Sequence, residues 1–312
     1  MYNYKTEEFG KFLKYTFYND ETKNSFSITP EHGASILHVV LDGQPIIDGH
    51  QTVEELLKNE WYKSTFLFPF PNRLKNGKYS FEGKSYQFQI NDPDTKNALH
   101  GFGLNQGFKL ISLDCKKNYA EIHCQHQNAG SDPSFPFAFS FDIKIRISEP
   151  NSFTVKLAFK NESQQNIPIG IGWHPYFNCF DKLDQVYMQM PDCQFVDVDE
   201  FAVPNGECYD YNYFQEKRQI GNVVLDNAFK IKGHNKKAEV VLVSNYGKLV
   251  YWQETGPGKF NFLQIFTPSH RRSIAIEPMT CNIDAFNNGA GLIILKPGAF
   301  FSEKCGFRFE GG

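Results

Sequence analysis

Long apolar runs are absent from this sequence, and methionine and tryptophan are scarce. Of 312 residues, 4 are Met and 3 are Trp, although 41% of the chain is hydrophobic and 16% is aromatic. No segment approaches the roughly 18 apolar residues that span a bilayer, and the opening residues, MYNYKTEEFGKFLKY, lack the apolar centre of a signal peptide. We therefore expect a cytoplasmic protein with a large apolar core and no membrane partner.

An excess of one charge is also missing, and the cysteines form no short-spaced pair. The 32 basic and 35 acidic residues give a formal charge of -3, and the basic residues are scattered, which argues against a nucleic acid partner. No CxxC sequence suggests zinc binding or redox chemistry. We expect reduced thiols at all seven cysteines, which occupy positions 115, 124, 179, 193, 208, 281 and 305.

Alternation with a period of two residues is the main pattern of the chain. Residues 141–147, FDIKIRI, and residues 153–160, FTVKLAFK, place apolar side chains on one face and mostly polar ones on the other, which predicts half-buried strands. Residues 78–90, KYSFEGKSYQFQI, predict a hairpin that turns at Glu82-Gly83-Lys84. Further strands are predicted in EVVLVS, RSIAIE and LIILKPGAFFSEKCGFRFE.

Helical patterns are nearly absent. Only residues 52–62, TVEELLKNEWY, indicate a helix. Thr52 and Glu55 fit a capping box at its start, and Leu56 and Leu57 contribute to one short apolar face.

The succession of these elements predicts the fold class. Many short strands separated by Gly, Pro and Asn turns indicate an all-β protein, either an antiparallel sandwich or a barrel. The strand pattern continues in the same style on both sides of the loop at 128–137, NAGSDPSFPF, and no repeat or linker interrupts it. We therefore expect a single domain over residues 1–312.

Five stretches carry polar groups in apolar or aromatic surroundings. They are FPFPNRL (68–74), ALHGFG (98–103), GWHPYF (172–177), VLDNAF (224–229) and IAIEPMT (274–280). Taken singly, most have an ordinary structural explanation. A histidine among aromatic residues is usually half-buried, with one ring nitrogen bonded to the backbone. Turn positions explain three of the others, Asn72, His100 and Asp226.

Glu277 is harder to explain in this way. The isoleucines Ile274 and Ile276 alternate with Ala275 and Glu277, so the carboxylate lies on the face opposite the isoleucines. Pro278 follows directly and is expected to end the strand. A solvated strand residue is the alternative interpretation.

Together the five stretches resemble the aldose 1-epimerase (galactose mutarotase) family. Its members carry an Asn-Arg pair, a His-Gly turn, a His-x-Tyr-Phe segment, an Asp followed by an aromatic residue, and a Glu-Pro strand end. The resemblance spans roughly residues 28 to 310 and implies a large antiparallel β-sandwich of the galactose mutarotase-like supersandwich type. It also implies a monomer or homodimer that interconverts the α and β anomers of a free aldohexose, its small-molecule partner, without a metal or other cofactor.

The resemblance also implies a role for particular residues. His174 becomes the general acid that protonates the ring oxygen, and Glu277 becomes the general base that accepts the C1 hydroxyl proton. Sugar binding is assigned to Asn72, Arg73, His100, Asp226 and Gln264. We expect the imidazole and the carboxylate to face each other across a gap about as wide as a pyranose. Trp173 and Tyr176 would then be aromatic walls that orient the imidazole and exclude water.

One departure from the family pattern concerns the substrate. Phe102 follows the His-Gly turn, where many relatives have a second glycine and a tryptophan downstream. A mutarotase of hexose 6-phosphates is an alternative, which would need extra arginines around the phosphate, and Arg271-Arg272 is the only adjacent arginine pair in the sequence. We expect this pair to lie in a solvated turn.

Three further alternatives use the same residues. His100, His174 and Glu277 are ligand types that could bind zinc in a hydrolase, although no short-spaced HExxH sequence is present. Asp226 and Glu277 could be the carboxylate pair of a glycoside hydrolase. A non-catalytic sugar-binding protein would need the binding residues but not an acid and a base.

Overall fold

Antiparallel strands dominate the computed structural model of the protein, which describes residues 1–103, 106–178, 182–233 and 236–312. Strands account for 53% and helices for 6%, so the all-β prediction is confirmed. The six cysteines within these ranges are free, whereas Cys179 lies outside them. None of the helices in the described ranges has the length and apolar character that crossing a membrane requires.

Short strands follow one another along most of the chain. The first part contains β1 (Asn3–Phe9), β2 (Phe12–Asn19), β3 (Asn24–Thr29), β4 (Ser35–Leu41), β5 (Gln44–Pro45), α1 (Val53–Lys58), β6 (Phe66–Leu67), β7 (Arg73–Leu74), β8 (Lys78–Phe81), β9 (Lys84–Gln87) and β10 (Ala98–Leu99). The middle part contains β11 (Lys109–Cys115), β12 (Tyr119–Ala129), β13 (Ala138–Ser148), β14 (Ser152–Asn161), β15 (Ile167–Ile169), β16 (Gly172–Trp173), β17 (Tyr176–Asn178), β18 (Tyr187–Gln189), β19 (Cys193–Val198), β20 (Pro204–Asp210) and β21 (Arg218–Gln219). The last part contains β22 (Asp226–Ile231), β23 (Lys237–Ser244), β24 (Gly247–Glu254), β25 (Phe262–Phe266), β26 (Ser273–Met279), α2 (Ala285–Asn288), β27 (Ile293–Leu295) and β28 (Phe300–Gly311).

Two large antiparallel sheets face each other. One has the order β11-β12-β13-β14-β28-β24-β23-β18-β21, and the other has the order β20-β19-β22-β25-β26-β16-β6 with β17 also paired to β26. Phe177 of the second sheet packs edge-on against Tyr251 and Phe307 of the first, with ring centroids 5.9 and 5.2 Å apart. These contacts confirm the predicted large antiparallel sandwich. The sheet β1-β2-β3-β4-β5 packs against the buried face of β14, where the ring of Phe26 contacts that of Phe153.

The alternating sequences occupy the positions that their period predicts. In β13 the side chains of Ile143, Ile145 and Ile147 are buried, while those between them are more exposed. The hairpin at 78–90 forms from β8 and β9, in which Phe81 pairs with Lys84 around the predicted turn. Burial of one face and hydration of the other therefore set the orientation of these strands.

The predicted helix at 52–62 is wrong in its length. Helix α1 ends at Lys58 because Asn59 adopts a left-handed conformation with φ of 41°, which a right-handed helix cannot continue. The following residues Glu60–Tyr62 form a separate 3₁₀ turn. With so short a helix, Leu56 is buried but Leu57 remains half exposed.

The prediction that Pro278 ends its strand is also wrong, since β26 continues to Met279. The N–H groups of Ile276 and Thr280 donate to the carbonyl oxygens of Pro175 and Ile171, respectively. Residue 278 lies midway between these two residues, so an N–H at that position would point to the same neighbouring segment. The neighbouring chain is interrupted there between β16 and β17. A residue without an N–H therefore fits inside this strand.

Candidate active site

A cavity of about 210 Å³ opens on the second large sheet. At ~30 Å³ for each water molecule it has room for about seven waters, a volume comparable with one hexose. All seven residues singled out from the sequence line it, together with five others. The lining consists of Trp61, Tyr62, Asn72, Arg73, Leu99, His100, His174, Tyr176, Asp226, Gln264, Phe266 and Glu277.

Three neighbouring strands supply one wall of the cavity. Asp226 begins β22, Gln264 lies in β25, and Glu277 lies in β26. Gln264 is directly opposite Glu277 in the register, and Asp226 is opposite Phe266, two residues beyond Gln264. Because side chains two residues apart share a face, this pairing brings these four side chains to the same face of the sheet.

The opposite wall comes from turns. Asn72 and His100 flank the short pair β7–β10, and both have positive φ, 59° and 65°. The His100 N–H donates to the Asn72 carbonyl at 2.9 Å, and the Asn72 N–H donates to Nδ1 of His100 at 3.2 Å. Since Nδ1 accepts, the proton of this neutral imidazole lies on Nε2. Burial holds the pKa of His100 well below its usual value, so the ring stays neutral.

His174 and Glu277 are in direct contact. His174 lies at the interruption between β16 and β17, and its Nε2 is 3.3 Å from Oε1 of Glu277. The prediction of a pyranose-wide gap between the two groups is therefore wrong. Both side chains are buried. The other polar atom of each side chain, Nδ1 of His174 and Oε2 of Glu277, has no hydrogen-bond partner among the described residues.

Burial shifts both groups toward their neutral forms. It lowers the pKa of His174 to about 3 and raises the pKa of Glu277 well above 4.5. The nearby Asp226 carboxylate also raises the pKa of Glu277, whereas the Arg73 guanidinium lowers it. In the site without a ligand, burial therefore favours a neutral imidazole beside a protonated carboxyl group.

Polar side chains around the pair form a connected network. Nδ2 of Asn72 donates to Oε1 of Gln264 at 3.3 Å, and Nε2 of Gln264 donates to Oδ1 of Asp226 at 2.8 Å. Arg73 is fixed by a hydrogen bond of 2.9 Å from its Nε to Oδ2 of Asp92, a residue that the sequence pattern did not single out. These bonds orient an amide, a carboxylate and a guanidinium toward one small volume.

Aromatic rings enclose the imidazole, but only one of the two expected rings is among them. Tyr176 stacks on His174 with centroids 5.1 Å apart and an interplanar angle of 12°, as predicted. Trp173 instead lies in the core, where it stacks on Phe66. Tyr62 supplies the missing wall, since its ring lies 4.8 Å from that of His100 and 6.5 Å from that of His174.

Four lining residues were not predicted from the sequence, namely Trp61, Tyr62, Leu99 and Phe266. Phe266 carried a usable signal, because it lies two residues after Gln264 and must share its face. Trp61 and Tyr62 were assigned to a helix, which concealed the turn that brings them to the cavity.

The arginine pair does not form a phosphate site on this cavity. Arg271 was expected in a solvated turn, but its Nε donates to Asp184 at 2.7 Å and its other nitrogens donate to the carbonyls of Val223 and Gly221. The guanidinium is thus committed to joining Asp184 to the segment 221–223. Neither arginine lines the cavity. Over the ranges that the structure describes, no set of three His, Cys, Asp or Glu side chains is placed to bind a metal ion.

Comparison with known proteins places these observations in a family. The model of the aldose 1-epimerase family matches residues 15–308. YihR of Escherichia coli (strain K12) is 27% identical over 282 residues, which are 85% of this chain and 84% of that protein.

Two solved structures share the fold. A galactose mutarotase-like protein from Clostridium acetobutylicum has a TM-score of 0.87 at 19% identity, and the match covers 100% of this chain and 99% of that protein's chain. Galactose 1-epimerase from Lactobacillus acidophilus NCFM has a TM-score of 0.84 at 18% identity, with the same coverage. Because the family model extends over almost the whole sequence, this protein belongs to the aldose 1-epimerase family.

Proposed function

We propose that the protein is an aldose 1-epimerase that interconverts the α and β anomers of a free aldohexose. The observation that carries this proposal is the buried contact of 3.3 Å between His174 and Glu277 in a cavity of about 210 Å³. An acid and a base in contact suit a hemiacetal, because the hydroxyl oxygen and the ring oxygen are both bonded to C1. The two groups that serve these oxygens must therefore stand close together.

Ring opening moves one proton onto the pair and one off it. Glu277 accepts the proton of the C1 hydroxyl, His174 donates a proton to the ring oxygen, and the bond from C1 to the ring oxygen breaks. The products are an open-chain aldehyde, a neutral imidazole and a protonated carboxyl group. Rotation about the C1–C2 bond then presents the other face of the aldehyde, and the reverse transfers close the ring as the other anomer.

This cycle explains the unusual protonation of the free site. The pair holds one proton at every stage, either on His174 or on Glu277. The neutral arrangement that burial favours without ligand is the one that the open-chain intermediate requires. Before ring opening, the proton crosses the short gap to His174, and the Arg73 guanidinium assists because it favours the charged form of Glu277.

The remaining polar residues suit an uncharged sugar. Asp226, Gln264 and Asn72 offer an acceptor and amide groups to hydroxyls, and the neutral His100 offers an Nε2 proton. Among the described residues, the one guanidinium in the cavity lining, on Arg73, is already paired with Asp92. With two carboxyl groups in the same lining, no surplus positive charge favours a phosphate.

Polarimetry tests the proposal. Freshly dissolved α-glucose and α-galactose should relax faster with the protein than in buffer, and glucose 6-phosphate should be a poorer substrate. If no aldose relaxes faster while sugars still bind in calorimetry, the protein is a sugar-binding member of the family. Release of reducing sugar from an aryl glycoside would instead support a glycoside hydrolase.

The free cysteines support the expected cytoplasmic location.

A further inference from the structure

A second and larger cavity lies beside the proposed hexose pocket. Its volume is about 530 Å³, and Trp61 lines both cavities. Other lining residues are Asp48, His50, Lys63, His270 and Arg272. A ligand that extends from the first pocket past Trp61 would therefore enter this second cavity.

Trp61 is held firmly between the two cavities. Its backbone has a φ of 59°, within a segment in which Asn59, Tyr62 and Ser64 also have positive φ. Such conformations cost about 1–3 kcal/mol each and persist where the surroundings impose them. Here the hydroxyl of Tyr176, whose ring stacks on the proposed catalytic histidine, donates to the Trp61 carbonyl at 2.9 Å. The indole, whose ring lies 5.0 Å from that of His270, is an apolar surface against which the C–H face of a sugar can lie.

The second cavity also has an unsatisfied polar wall. His50 is buried, with 5% of its surface exposed, and neither ring nitrogen has a hydrogen-bond partner among the described residues. Buried polar groups in native proteins normally have partners, so an unpaired one beside a cavity indicates a partner from outside the chain. Burial lowers the pKa of His50 to about 4, so its ring is neutral and presents one donor and one acceptor.

The charges around this cavity balance. Lys63 pairs with Asp48 at 2.9 Å, and Lys58 pairs with Glu60 at 3.0 Å. The remaining lining charges are one carboxylate, Glu55, and one guanidinium, on the exposed Arg272. A site with no net charge gives little preference to a phosphate or sulfate, whereas mixed donors and acceptors beside an indole suit hydroxyl groups.

We propose that the second cavity binds the next sugar ring of a reducing disaccharide or longer oligosaccharide whose reducing ring occupies the first pocket. This inference rests on the proposed mutarotase function and specifies its substrate class. The reducing ring reacts at His174 and Glu277, while the second ring contacts Trp61 and hydrogen-bonds to groups such as His50 and Arg272.

Polarimetric rates on matched sugars test the inference. Maltose, cellobiose, lactose and melibiose all have glucose as the reducing ring, so glucose is their common control. We expect kcat/KM to be at least about tenfold higher for one of the four than for glucose. Arg272→Ala and His50→Gln should remove most of this advantage and leave kcat/KM for glucose within about twofold. Arg308→Ala, at a surface arginine in β28 that lines neither cavity, is the matched control and should change neither rate.

The outcomes separate this inference from the proposed function. Equal kcat/KM for glucose and all four disaccharides would overturn the second subsite and leave the mutarotase proposal intact. A preference for glucose 6-phosphate over every disaccharide would also overturn it. If no sugar is turned over, calorimetric titration of Glu277→Gln with the same sugars still decides, because the subsite requires one disaccharide to bind about tenfold more tightly than glucose. Arg272 is exposed, so its variant is expected to fold even if His50→Gln does not.

Discussion

Replacement of Glu277 by glutamine tests the proposed chemistry most directly. The amide has nearly the shape of the carboxyl group, whose pKa is raised by burial, but it cannot accept the C1 hydroxyl proton. Loss of a general base costs about 10² to 10⁴ in rate, which at about 1.4 kcal/mol for each factor of ten is roughly 3–5.5 kcal/mol of transition-state stabilisation. We expect kcat for mutarotation to fall by this factor. Sugar affinity should stay within about tenfold, or ~1.4 kcal/mol.

Polarimetry with freshly dissolved α-glucose measures the rate, and thermal unfolding checks the fold. The new amide adds a buried hydrogen that needs an acceptor, which costs at most about 3 kcal/mol in the free energy of unfolding. Glu303→Gln is a matched control, because Glu303 is a buried glutamate that does not line the cavity. If Glu277→Gln relaxes the sugar within about threefold of the wild-type rate, the proposed base is wrong.

Four other changes have defined outcomes. Since burial lowers the pKa of His174 to about 3, the pair takes up no second proton until the pH approaches that value, so kcat/KM should not decline as the pH is lowered from about 7 to about 5; a decline toward acid pH with an inflection near ~6.5, the usual value for histidine, would contradict this. Asp226→Asn removes a charged acceptor worth about 1.5–3 kcal/mol, so steady-state kinetics should show KM raised at least tenfold with little change in kcat. Arg271→Ala removes the bonds that join Asp184 to the segment 221–223 and should lower the free energy of unfolding by about 2 kcal/mol, measured by urea titration, without a loss of mutarotation. Dialysis against a chelator should leave the polarimetric rate unchanged, and a chelator-sensitive rate would revive the zinc hydrolase alternative.

The strands were the most predictable part of the molecule. In β13 and β14 each alternation in the sequence corresponds to one buried and one hydrated face, and that relation requires no knowledge of the neighbouring strands. The predicted length of the helix at 52–62 was wrong because the left-handed conformation of Asn59 depends on the tertiary structure. The prediction that Pro278 ends its strand failed for a related reason, because the position of Pro278 inside β26 depends on the interruption of the neighbouring chain opposite it.

The candidate site was predictable in membership but not in geometry. The seven residues were identified by their resemblance to a family, and each could have been a turn or surface residue when considered alone. Their roles remain predictions. The structure supplied contacts that residue spacing in the sequence cannot show. Among them are the pairing of Arg73 with Asp92 and the presence of Tyr62, in place of Trp173, as an aromatic wall.

The sequence by itself determined which faces of the strands are buried, because hydrophobic periodicity is a local property that each strand expresses independently. Only the tertiary structure decided that His174 and Glu277, 103 positions apart in the chain, lie 3.3 Å from each other in one cavity. That distance follows from the order of strands in the sheet and from their register. Both are set by contacts between segments remote in sequence, which no local pattern encodes.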